Sequence, residues 1–73
     1  MTVVEEVLKF EANAHRLGLP IKAILRRANV SVATFNRWKA GTMGPTLTNW
    51  RALERAYDVL RNKQLDEQDR AQV

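Results

Sequence analysis

The stretch IKAILRRANVSVATFNRWKA at residues 21–40 reads as two short helices with a tight joint between them. Ile21, Ile24, Leu25 and Ala28 fall on one face of a helix that runs to about Ala28. Asn29 then stands where the chain must turn sharply, and asparagine tolerates the left-handed conformation better than most residues other than glycine. Val30 can plug the turn against a core, and Ser31 is a good cap for the next helix. Phe35 and Trp38, three apart, share that helix's inner face. Two helices joined by about three residues cross steeply, and buried side chains on both sides of the joint hold the angle. Ile24, Ala28 and Val30 supply one side; Phe35 and Trp38 supply the other. Ser31, Val32, Ala33, Asn36 and Arg37 are left facing outward.

Helical spacing continues on both sides of this unit. Upstream, Thr2 and Glu5 have the spacing of a capping box, and Val3, Val7, Phe10, Ala14 and Leu17 recur with helical period until Gly18. Pro20 suits the first turn of the following helix, where its missing amide proton is not needed. Downstream, Gly41 and the Gly44-Pro45 pair end the third helix and form a short loop. Thr46 can cap a fourth helix with apolar positions at Leu47, Trp50, Leu53, Ala56, Tyr57 and Leu60. Nothing alternates at strand period. The expected fold is all-α, a compact bundle of four principal helices, with residues 1–63 as one domain and 64–73 as a polar tail or an extension of the last helix.

Charge is distributed unevenly. The 73 residues carry a net charge of +4, but the stretch from Arg16 to Lys63 holds ten Lys or Arg against only Glu54 and Asp58, and both ends are acidic. Such a field suits a polyanion. The absence of cysteine excludes a disulfide framework and a thiolate metal site or nucleophile. His15 has no carboxylate-and-histidine set around it, and no glycine-rich phosphate loop or paired-carboxylate constellation appears. The expectation is therefore a non-enzyme with no metal and no cofactor. Acidic Glu5 and Glu6 stand where a signal peptide would carry basic charge, and no apolar run reaches membrane-spanning length. A soluble, cytoplasmic protein with no membrane partner is the expected setting.

The chain resembles the helix-turn-helix domains of the phage lambda repressor and Cro family, also called the XRE family. The likeness runs from about Phe10 to Leu60 and is carried by RLGLP at 16–20, ANVSVATFNRWKAG at 28–41 and PTLTNWRALERAYDVL at 45–60. It implies a bundle of four or five helices that binds operator DNA, usually as a dimer and often to repress transcription. It also implies the host-cell cytoplasm as the setting for a phage-encoded member. The family's helix-two glutamine falls on Ile21, its small alanine on Leu25, its turn glycine on Asn29, and its late acidic or polar position on Lys39. These departures leave the fold expectation in place and call the usual phosphate clamp into question.

On this reading Arg37 matches guanine O6 and N7, Asn36 matches adenine N6 and N7, and Val32 and Ala33 pack against thymine methyls. Ser31, Lys22, Arg26, Arg27, Lys39 and Thr42 are candidates for the DNA backbone; the competing account is a helix cap for Ser31 and a solvated face for the rest. Phe35, Trp38, Trp50 and Tyr57 read as core rather than as stacking platforms. Tyr57, Leu60 and Leu65 are candidates for a homodimer contact on DNA, against intramolecular packing or a frayed tail. The alternative function is a protein-interaction role, antitoxin-like or as a recombination accessory, on the same fold.

Overall fold

The computed structural model describes residues 2–71, with side chains described over residues 2–65. It is an all-α four-helix bundle: α1 (Val3–Arg16), α2 (Ile21–Ala28), α3 (Val32–Ala40) and α4 (Leu47–Ala71). Of the tail or helix extension left open for 64–73, the part up to Ala71 is a continuation of α4, and 72–73 lie outside the described residues.

Local chemistry sets the boundaries. Thr2 and Glu5 form the reciprocal capping box, with the Glu5 amide donating to Thr2 Oγ1 at 3.2 Å and the Thr2 amide donating to Glu5 Oε2 at 3.5 Å. Ser31 Oγ accepts from the Thr34 amide at 3.1 Å, and Thr46 Oγ1 accepts from the Asn49 amide at 3.1 Å, so α3 and α4 also start on side-chain caps. Pro20 sits one residue before α2 rather than inside its first turn, and its carbonyl accepts from Ala23 and Ile24.

Three successive helices end in the same way. Gly18, Asn29 and Gly41 have positive φ, and the amides of Leu19, Val30 and Thr42 reach back to the carbonyls of Ala14, Leu25 and Arg37 at 2.9, 2.9 and 3.1 Å. This left-handed closure satisfies carbonyls that the last turn leaves unpaired, and it folds the following residue back onto the helix. Leu19 and Val30 are thereby buried, whereas Thr42 stays exposed. The burial of Leu19 has no counterpart in the sequence reading, because it follows from the closure rather than from helical spacing.

The core gathers Val7 and Ala14 of α1, Ile24 and Leu25 of α2, Phe35 and Trp38 of α3, and Leu53 and Ala56 of α4 around Leu19 and Val30. Full burial of each large side chain contributes about 1.5–3 kcal/mol. α2 packs chiefly on α4, and α1 chiefly on α3. Phe35 and Trp38 meet edge to face at 6.2 Å, as their three-residue spacing anticipates. The Trp38 indole nitrogen is buried with no acceptor. Two expected core positions differ: Val3 is 55% exposed and Leu47 is 64% exposed. Both belong to first turns and line one open depression with Pro45 and Trp50, so spacing places them on the inner stripe but the packing leaves them uncovered.

Candidate nucleic-acid interface

α2 and α3 are joined by Asn29, Val30 and Ser31 alone. With φ +61° and ψ +40°, Asn29 occupies the left-handed region, and Val30 is tucked into the core beneath it. The joint is thus held from inside by Val30 and from α3 by Phe35 and Trp38, and this rigid seating decides which residues of α3 stay outside.

Those residues are Val32, Ala33, Asn36 and Arg37, all exposed. Val32 lies one turn from Asn36, and Ala33 one turn from Arg37, so the four form one outward face. Lys22, Arg26 and Arg27 are exposed on α2. No acidic residue occurs between Glu11 and Glu54, so no carboxylate on α2, α3 or their joint opposes the positive field of this region. Arg26 and Arg27 also fall in the last turn of α2, and Arg37 and Lys39 in the last turn of α3, where cations favour the negative end of the helix dipole.

Three expected backbone-contact residues are engaged within the chain. Ser31 is spent as a cap and donates its hydroxyl to Thr34 Oγ1 at 2.8 Å. Thr42 Oγ1 donates to the Arg37 carbonyl at 3.3 Å. Lys39 Nζ pairs with Glu11 Oε2 at 2.8 Å and lies 5.5 Å from the Phe35 ring centroid, tying α3 to α1 and neutralising its own charge there. That pair spans twenty-eight positions in the chain, beyond any short-range spacing rule.

Of the three residues proposed for contact between copies, Tyr57 and Leu65 line one groove and Leu60 does not. Leu60 packs against the core, and the Tyr57 ring lies tilted against that of Phe10, with centroids 5.4 Å apart. Leu65 is 51% exposed and lines an open groove with Tyr57, Leu17, Arg16 and Arg61. Among the described residues there is no cluster of three or more potential metal ligands, and no helix is long and apolar enough to cross a membrane. His15 is exposed at the end of α1. No family model, curated protein or solved structure matches the chain.

Proposed function

We propose that α2 and α3 work as a helix-turn-helix and that the chain binds double-stranded DNA sequence-specifically, as a phage-like regulator of transcription. The observation that carries this reading is the exposed face of α3, Val32, Ala33, Asn36 and Arg37, held clear of the core on a helix pair that has no acidic side chain of its own. A helix fits the major groove, where base edges present distinguishable patterns. Arg37 offers a guanidinium fork to guanine, Asn36 an amide to adenine, and Val32 and Ala33 apolar contact to thymine methyls. Lys22, Arg26 and Arg27 supply phosphate contacts, which set register without reading sequence. Lys39 is left out of this set because Glu11 compensates its charge.

One recognition helix covers only a few base pairs, so specificity requires two copies on one face of the duplex, with half-sites about 34–36 Å apart. Leu65 and the exposed edge of Tyr57 are the apolar residues available for that contact.

Selection of sites from random duplexes, followed by competition gel shifts, tests the proposal. A strong preference for one duplex is expected. Three phosphate contacts per protomer predict a log–log salt slope of about −2.7 for each copy. Equal binding to all duplexes, or none, overturns it.

A further inference from the structure

The seam between α1 and α4 shares no residue with the surface assigned above to DNA. Phe10 of α1 bridges to Trp50 and Tyr57 of α4 at centroid distances of 5.6 and 5.4 Å. Over this aromatic floor runs an open groove of about 320 Å³, bordered by Glu6 on one helix and by Glu54 and Asp58 on the other. It continues past Trp50 into an apolar depression of about 310 Å³ formed by Val3, Pro45 and Leu47. The two halves differ in chemistry. Glu6 and Trp50 line both; the first half adds Glu54 and Asp58, and the second adds the aliphatic Val3, Pro45 and Leu47.

Glu54 and Asp58 stand at i and i+4, a like-charge spacing that is unfavourable within a helix. The described side chains record one ion pair, Lys39 with Glu11, so Glu6, Glu54 and Asp58 pair with no described cation. Lys9 is the one cation lining the floor. The groove is therefore lined by three carboxylates to one ammonium beside π faces, a net negative combination that suits a guanidinium able to stack and to fork onto carboxylates.

We propose that this groove docks a basic amphipathic helix of another protein, with an arginine over Tyr57 between Glu54 and Asp58 and a large apolar residue beside Leu47. From Leu47 to Asp58 the groove follows about 16 Å of helix, so the docking segment needs about three turns. Charge decides against a symmetric, seam-to-seam pair of copies and against the chain's own end. A second copy laid seam to seam would oppose carboxylates with carboxylates. The chain's own end carries Asp66, Glu67 and Asp69 against Arg70, the wrong sign for this rim. The proposal does not rest on DNA binding: the two readings share only Tyr57, assigned above to contact between copies, and the groove uses none of the residues assigned to DNA.

The test is selection of binders to the full chain from a synthetic library of random twelve-residue peptides. Selected peptides are expected to carry an arginine two to three turns from a leucine or another large apolar residue. Titration of such a peptide should move the Trp50 indole NMR signal and leave that of buried Trp38 in place. Glu54→Lys with Asp58→Lys, both at exposed positions, is expected to keep the melting midpoint and weaken binding about tenfold or more, the equivalent of one lost charge-assisted hydrogen bond. The shape-preserving pair Glu54→Gln and Asp58→Asn should weaken it in the same direction by less. Selected peptides without basic residues, or equal binding to these variants, would overturn the proposal. So would a dimer of the free protein that dissociates when Glu54 and Asp58 are reversed, since that assigns the groove to a second copy.

Discussion

The outer face of α2 and α3 and the seam between α1 and α4 are built on opposite plans. The first is basic and free of acid, and it exposes small or polar side chains on a short helix with its aromatic residues turned inward. The second is rimmed by carboxylates and leaves its aromatic residues half open. Both stand on one core, in which Phe35 and Trp38 lie beneath the first and Phe10, Trp50 and Tyr57 form the floor of the second. A polyanion is attracted to one side and repelled from the other. The difference in charge thus separates two partner chemistries on a chain of 73 residues.

The largest effect comes from removing the support of the α2–α3 face. Trp38→Ala is expected to cost about 3–5 kcal/mol in a denaturant melt, because it leaves a large cavity beneath α3. Trp38→Phe is expected to be close to neutral by comparison. The smaller ring leaves a void, but it also removes an indole N–H that is buried without an acceptor, and an unmade hydrogen bond of that kind costs about 1–3 kcal/mol. A clear loss for Trp38→Phe would mean that filled volume, rather than the unpaired N–H, decides this site.

Arg37→Ala comes next, and it acts on DNA rather than on the fold. Titration against matched and point-changed duplexes should show a loss of about 1–3 kcal/mol confined to one guanine position. Arg27→Ala should weaken all duplexes alike and make the salt slope shallower by about one phosphate contact. If both variants lose affinity uniformly, α3 does not read bases through Arg37.

Asn29→Ala tests the joint itself. Alanine at φ +61° is expected to lower stability by about 1–2 kcal/mol, whereas Asn29→Gly should hold or raise it. Thermal melts of the two variants give the sign directly.

The smallest effect is expected at Lys39, and it sharpens the boundary between the two faces. Its pair with Glu11 is about a third exposed on each side, so Lys39→Gln should cost less than about 1 kcal/mol. It should also leave the salt dependence of DNA binding unchanged. A shallower slope would return Lys39 to the DNA surface.

Much of this architecture was legible because its causes are short-range. The caps at Thr2, Ser31 and Thr46 each act within three residues, and the left-handed positions at Gly18, Asn29 and Gly41 follow from backbone freedom at single sites. The exposed face of α3 was equally legible, since placing Phe35 and Trp38 inside leaves Val32, Ala33, Asn36 and Arg37 outside by geometry alone. Leu47 and Val3 misled because helical period names a face but not what lies across from it.

By itself, then, the sequence determined the four helices, the caps that start α1, α3 and α4, and the inward and outward faces of α3, because hydrogen-bond capping and helical period act between neighbours in the chain. Only the tertiary structure decided that Lys39 is held by Glu11, that Leu19 is core, and that Glu6 of α1 borders the same groove as Glu54 and Asp58 of α4. These contacts join residues of different helices, or follow from how one helix closes onto the next. Packing sets their distances, and no repeat along the chain encodes them.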